Sequence, residues 1–256
     1  MPLLRTEGIV LQAWDLGEYD RLVTLYTREH GRLAVVARGA RRLRSRFAGA
    51  LELFTWGDAV GFERDGRALV RLDHFDIRQP FRRLRDDLEC LGQGARMIEA
   101  VARLTAERDA QPLCFALLLR GLRALDAGAA PARVQLAFAL RLLDLLGHRP
   151  RLDRCGRCGR PVSTQGVAFD AVEGSMVCGD CRAGGPSLVP AVAAALRGLQ
   201  TASWEARLGA RLAPAVEQAA ATVLDDYLEA LIGAPLRAPR FLARTRAPHP
   251  PLQPQG

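Results

Sequence analysis

The chain contains no lysine: all 36 of its basic residues are arginine, and against 28 acids they leave a net charge of +8. That absence removes the phosphate-binding lysine of P-loop enzymes, Schiff-base chemistry and any lysine-assisted nuclease site. Arginine still offers a planar fork of donors that suits phosphate and stacks on bases. Histidine is scarce as well. His30, His74, His148 and His249 fall in a predicted turn, a strand, a helix end and the tail, and they read as structural or solvated. The adjacent acids Asp86-Asp87 and Asp225-Asp226 lie on predicted helices, where neighbours point about 100° apart and cannot converge on one metal. There is no Gly-x-Ser-x-Gly elbow and no Gly-x-Gly-x-x-Gly loop, so the usual nucleophile and dinucleotide signatures are missing too. The chain reads as a binding protein, not an enzyme.

Long apolar runs are also lacking. The longest uncharged stretch, Ala183 to Leu196, has 14 residues, short of the ~18 needed for a membrane span. Met1-Pro2-Leu3-Leu4-Arg5-Thr6-Glu7 has no apolar signal core, and a cytoplasmic location is expected. Thiols stay reduced there. Cys90 and Cys114 sit in apolar helical patterns and read as buried core thiols.

The other four cysteines form two pairs, Cys155-Gly-Arg-Cys158 and Cys178-Gly-Asp-Cys181, with nineteen residues between them. A two-residue gap lets both thiolates of a pair turn toward one ion, and nineteen residues are enough for a hairpin to bring the second pair back. Thioredoxin-like redox chemistry needs only one such pair, and iron-sulfur clusters usually use other spacings. The pattern predicts a zinc ribbon with one Zn2+ held by Cys155, Cys158, Cys178 and Cys181. Four protein ligands leave no position for water, so the metal is expected to be structural.

Nearly half of the residues, 49%, are hydrophobic, enough for one large domain or two ordinary ones. Residues 1–80 read as strands. Arg21-Leu22-Val23-Thr24-Leu25-Tyr26-Thr27, a break at His30-Gly31 and Arg32-Leu33-Ala34-Val35-Val36-Ala37 look like a hairpin. Segments near 6–14, 50–64 and 67–78 supply further strands, with Asp65-Gly66 as a tight turn. Five strands without helical periodicity suit an OB-fold barrel. After Pro80 the period changes to three and four, with Phe81, Leu84, Leu88, Leu91, Ala95, Ile98, Val101 and Leu104 on one face. Further helices are expected over Pro112 to Leu125, Pro131 to Leu146 with Gly147 as its cap, 187–200, and from Pro214 onward. The expected architecture is α+β and multidomain: an OB-fold barrel (1–80), a helical domain (81–148 and 187–242), a zinc-binding insertion (149–186) and a mobile basic tail (243–256).

The densest charge is Arg38-Gly39-Ala40-Arg41-Arg42-Leu43-Arg44-Ser45-Arg46, five arginines in nine residues with no acid. Following an apolar strand of the barrel, it reads as a loop beside the face on which such folds take single strands. Arg38, Arg41, Arg42, Arg44 and Arg46 are candidate phosphate ligands, with Arg21 and Arg32 on the neighbouring strands. Five such contacts on single-stranded DNA would give a slope of log affinity against log salt of at most roughly −3.5. Nine of the fifteen aromatics lie within residues 1–82; most read as barrel core, and Trp14, Tyr19 and Phe47 are the candidates for stacking on bases.

Several of these segments together resemble one family. Glu18-Tyr19-Asp20-Arg21, Thr27, Gly31, Val36-Ala37-Arg38-Gly39-Ala40-Arg41-Arg42, Ser45-Arg46 and Gly49-Ala50-Leu51 are similar to the amino-terminal barrel of the bacterial RecO recombination mediators. Leu145-Leu146-Gly147-His148-Arg149-Pro150 with the four cysteines resembles the helix end and zinc module of the family's zinc-containing members. Tyr227-Leu228-Glu229 and Arg240-Phe241-Leu242 resemble its carboxyl end. Positions at which the family usually has lysine are arginine here, and Arg237-Ala238 stands where lysine-serine is expected. The resemblance implies a non-enzymatic DNA repair role: binding single- and double-stranded DNA, annealing complementary strands and, with RecR, helping RecA displace the single-strand binding protein SSB. It also implies a groove in the helical domain for the acidic, apolar-tipped SSB tail, with Arg120 and Arg123 as candidates for its basic rim. The rival readings are a zinc-ribbon regulator or protein adaptor, which would prefer one operator sequence or a protein partner, and a zinc hydrolase or nuclease, which would need a water on the metal.

Overall fold

A computed structural model describes residues 2–63, 69–182 and 187–238. The expected Asp65-Gly66 turn, Arg240-Phe241-Leu242, His249 and the tail at 243–256 lie outside the described residues.

The amino-terminal strands are β1 (Leu3–Leu16), β2 (Asp20–Thr27), β3 (Gly31–Ala37), β4 (Trp56–Phe62) and β5 (Val70–Gln79). They close a barrel in the order β1-β2-β3-β5-β4, antiparallel throughout except for the parallel pair of β3 and β5. This is the five-stranded OB-like arrangement expected from the sequence. β1 serves two neighbours: Leu3 to Ile9 pair with β4, Gly8 to Leu16 pair with β2, and a bulge between Val10 and Gln12 re-aims the strand. Alternation with period two sets the interior, where Val23, Leu25, Leu33, Val35, Val70, Leu72 and Phe75 are buried together. The connection between β3 and β4 is longer than the strand signal suggests, because residues 48–55 form turns. Phe47, Ala50 and Leu51 from this connection plug the barrel, while Phe54, at φ 72°, turns out to the helices.

The helices are α1 (Arg82–Asp86), α2 (Leu88–Leu104), α3 (Pro112–Asp126) and α4 (Pro131–Leu145). The single helical face expected from Phe81 to Leu104 is in fact broken. Asp87 is extended at φ −108° and ψ 121°, and its carboxylate accepts from the Cys90 amide at 2.7 Å. An aspartate followed by an apolar run is a good N-cap, and the local hydrogen bond wins over helix continuity. Asp87 is therefore a cap and not a helical residue. Proline opens α3 and α4 as their positions suggest. Gly147, at φ 79°, ends the last turn after α4, where the His148 amide reaches the Leu143 carbonyl at 2.7 Å.

Strands β6 (Arg151–Cys155), β7 (Ala168–Asp170) and β8 (Ser175–Val177) form a small sheet in the order β6-β8-β7. Helices α5 (Pro190–Thr201), α6 (Trp204–Gly209) and α7 (Pro214–Ile232) follow. The six-residue α6 has no periodicity to announce it and was not expected. The Ser203 hydroxyl starts it by accepting from the Ala206 amide at 3.2 Å.

Two apolar layers join these parts. Ile9, Leu11, Tyr26 and Trp56 on the outside of the barrel meet Phe81, Leu84, Phe115 and Phe138 of the helical region. On the far side, Leu152, Val167, Met176 and Val177 of the small sheet pack on Leu143, Leu196, Leu224 and Leu228. Tyr227 fixes that second contact: its hydroxyl donates to the His148 carbonyl at 3.0 Å and its ring meets Phe169 edge-on. Gly31 holds the barrel to the segment before α3. It has φ 63°, and a Cβ there would come within 2.0 Å of the Asp109 carbonyl oxygen. Cys90 and Cys114 are buried, and no helix among the described residues is long and apolar enough to cross a membrane.

Candidate nucleic-acid interface and metal centre

After Ala37 the chain leaves β3 and is fastened at once to the tip of the β1–β2 hairpin. The Gly39 amide donates to Asp20 Oδ1 at 2.8 Å, and the Arg41 amide donates to the Tyr19 carbonyl at 2.9 Å. The Arg41 side chain then donates to the carbonyls of Gly17 and Glu18 at 3.0 and 3.1 Å. Loop and hairpin thus form one unit, and Arg42 lies over the exposed Tyr19 ring at 5.1 Å, a cation–π contact.

Carboxylates remote in sequence reach part of this cluster. Arg41 pairs with Asp15 at 3.2 Å, Arg46 pairs with Asp73 at 3.2 Å, and Arg21 lies between Glu52 at 3.1 Å and Asp15 at 3.7 Å. The run without acid in the sequence is therefore partly balanced in space. Arg38, Arg42 and Arg44 are exposed and have no ion pair among the described residues. If only these three meet phosphate, the salt slope on single strands falls from the earlier ceiling to roughly −2.

Arg32 does not join the others. Its guanidinium donates to the Ala102 carbonyl of α2 and lies 3.7 Å from Glu107, which makes it a strut between barrel and helices. Of the stacking candidates, Trp14 and Tyr19 are exposed, whereas Phe47 is 2% exposed and belongs to the barrel interior. The expectation for Phe47 is corrected: closing the barrel end buries its ring, with Arg46 above it at 5.1 Å.

The four paired cysteines meet at one point. Cys155 ends β6 and Cys178 follows β8; in each pair the next residues turn back, with Gly159 N donating to the Cys155 carbonyl at 2.9 Å and Cys181 N donating to the Cys178 carbonyl at 3.1 Å. All four Sγ atoms lie within 4.8 Å of one another, the Cys158 and Cys178 sulfurs at 3.8 Å. Zinc–sulfur bonds of ~2.3 Å in a tetrahedron give sulfur–sulfur edges of roughly 3.8 Å, so the donor set fits a metal ion with thiolates alone. Charge supports the same view. The amides of Cys178 and Cys158 lower the Cys155 thiol to about 6, while hydrogen bonding to the Cys158 and Cys178 sulfurs pushes Cys181 up to about 12. A cation among these sulfurs would favour their thiolate forms. Arg160, two residues after Cys158 and outside any metal-ligand motif, donates to Cys158 Sγ at 3.4 Å and to Asp180 at 2.7 Å. Its guanidinium holds Cys158 below the ordinary thiol range.

A third feature lies on the helical side. Leu113, Leu117, Arg120, Arg141, Trp204 and Arg207 line a cleft of about 350 Å³. The Arg120 guanidinium lies 4.9 Å from the Trp204 ring centre and pairs with Glu205. Arg123 points elsewhere, over Trp56 at 4.7 Å, and does not line the cleft. Trp204 was not singled out because it sits on the unannounced α6.

Two family models cover nearly the whole chain: recombination protein O N terminal matches residues 1–81, and recombination protein O C terminal matches residues 85–240. The chain belongs to the RecO family. Curated relatives agree in both length and sequence. The DNA repair protein RecO of Anaeromyxobacter sp. (strain K) is 40% identical over 245 residues, spanning 94% of this chain and 96% of the relative. That of Roseiflexus sp. (strain RS-1) is 40% identical over 242 residues, 93% of this chain and 83% of the relative. The Bacillus pumilus protein of the same description is 31% identical over 243 residues, 94% and 93% of the two chains. This RecO-family chain thus combines an OB-like barrel carrying the arginine loop with a helical part in which four cysteines can hold a metal ion.

Proposed function

We propose that the chain is a DNA-binding recombination mediator, not an enzyme, that anneals complementary strands and, with RecR, helps load RecA onto SSB-coated single-stranded DNA. The observation that carries this reading is the arginine loop fastened to the β1–β2 hairpin, with Arg38, Arg42 and Arg44 exposed and without ion pairs among the described residues. Annealing needs no hydrolysis. Neutralising phosphates lowers the repulsion between two strands and leaves their base edges free to pair. Double-stranded DNA would be held through the same backbone charge. The role places the chain in the bacterial cytoplasm, on the nucleoid when DNA is bound.

The metal ion in this reading is one structural Zn2+, held by Cys155, Cys158, Cys178 and Cys181; it would pin the small sheet to α4, α5 and α7 and take no part in DNA chemistry. In this reading the cleft around Trp204 would take an acidic, apolar-tipped SSB tail, with Arg120 and Arg141 at its edge and the buried Arg207 behind them. The reading also divides the chain into a barrel at 1–80, a helical domain at 81–148 and 187–242 enclosing the metal-binding insertion at 149–186, and a basic tail at 243–256.

Strand annealing on SSB-coated oligonucleotides, with and without RecR, tests the proposal. Annealing above the spontaneous rate, stimulated by RecR and unaffected by nucleotide, is the expected result. A chain that binds only one duplex sequence and joins no strands would instead be a zinc-ribbon regulator.

A further inference from the structure

The hairpin tip and the arginine loop leave four large apolar side chains in water: Trp14, Leu16, Tyr19 and Leu43. Leu43 is the extreme case at 105% exposure, as open as in an extended peptide. A leucine so placed contributes nothing to packing, and its neighbours Arg42 and Arg44 have no ion pair among the described residues. The loop is not loose. Arg41 fastens it to Gly17, Glu18 and Tyr19 two residues before Leu43.

An apolar tip between two exposed cations fits a ligand that alternates anionic and apolar groups. DNA does so, with phosphates outside and base faces between them, and an apolar side chain can enter a base step and unstack it. A lipid surface has the same two chemistries. One leucine, however, is a small anchor for a bilayer, since stable attachment takes two signals. The exposed Tyr19 and Trp14 rings beside the loop favour bases, which stack on such rings whatever their sequence.

We propose that Leu43 is a wedge that enters between adjacent bases of a DNA strand held by Arg38, Arg42 and Arg44. This rests on the phosphate-binding reading of the same loop. It adds a task that charge alone does not perform: opening self-stacked or folded segments so that their base edges face a complementary strand.

An oligonucleotide carrying a single internal 2-aminopurine, titrated with the full chain at low salt, reads the wedge directly. Its fluorescence should rise by about twofold or more as the step unstacks. Leu43→Ala should bind with an unchanged salt slope but lose most of the rise, and Leu43→Met should keep it. A full rise with Leu43→Ala overturns the wedge and leaves the phosphate reading intact. Failure of the unaltered chain to bind the oligonucleotide removes both. Should Leu43→Ala instead abolish binding to phosphatidylglycerol vesicles while the fluorescence rise persists, the leucine serves a membrane and the wedge is overturned.

Discussion

Arg42 lies over the Tyr19 ring at 5.1 Å while the neighbouring Arg41 is held by Asp15 at 3.2 Å. Two adjacent arginines of one loop therefore differ in kind: one is tied to a carboxylate, and the other sits beside an aromatic face with no ion pair among the described residues.

That difference should be measurable in salt. Replacing Arg38, Arg42 and Arg44 together by glutamine is expected to reduce the salt slope of single-strand binding by roughly 2, about 0.7 for each lost contact. Arg41→Gln and Arg46→Gln should each have a smaller effect, because Asp15 and Asp73 already neutralise those charges. Fluorescence anisotropy across a series of salt concentrations gives the slope. An unchanged slope in the triple variant would exclude this loop as the DNA contact.

Features that depend on local spacing could be read from the sequence. The alternation in β3, the prolines that open α3 and α4, and the two cysteine pairs are all stated by residues near one another in the chain. What escaped depends on pairing across distance. Asp15 and Asp73 neutralise arginines 26 and 27 positions away from them, so a charge count along the loop could not see them. Phe47 follows the arginine run but plugs the barrel end, and Arg32 belongs to the same basic neighbourhood in sequence yet braces α2. The break at Asp87 was legible in principle. The apolar stripe runs on through it, so the stripe alone does not reveal a cap that needs only one carboxylate.

The cysteine cluster predicts an uneven response to metal removal. Purified protein should contain one zinc per chain by elemental analysis. Serine at Cys155, the most buried of the four, should release the metal and lower the melting temperature, since metal binding free energy is also folding free energy. The sheet it pins packs on Leu143, Leu196 and Leu224 and not on the barrel. DNA affinity per folded molecule should consequently stay within about twofold of the unaltered chain. Substoichiometric zinc in protein purified without chelator would defeat the metal assignment.

Asp225 on α7 predicts a pH dependence of stability. Burial pushes its carboxyl up to about 6, against the opposing pull of Arg96 at 3.0 Å and with Glu229 and Asp226 adding to the rise. The folded chain then binds more protons than the unfolded chain between about pH 4 and 6, so this group's contribution is most favourable at the acid end and is lost as pH rises through 6. The difference is bounded by roughly 3 kcal/mol. Urea midpoints from pH 5 to 7.5 should fall less steeply with pH in Asp225→Asn than in the unaltered chain. Identical slopes would show that the carboxyl titrates normally.

The cleft beside α6 separates two arginines that a spacing of three on one helix made look equivalent. Arg120 rims it above Trp204, whereas Arg123 covers Trp56 on the barrel side. With a peptide of the acidic SSB tail as probe, Arg120→Glu should weaken binding by about tenfold or more, because reversal strips Glu205 of its partner and sets two carboxylates at the mouth of an apolar slot. Trp204→Ala should cost a similar factor, ~1.4 kcal/mol or more, as the loss of an aromatic anchor. Arg123→Glu should change little, being outside the cleft. Calorimetric titration of the three variants distinguishes a specific groove from general attraction between an acidic peptide and a basic protein: only general attraction would make Arg120→Glu and Arg123→Glu equally harmful.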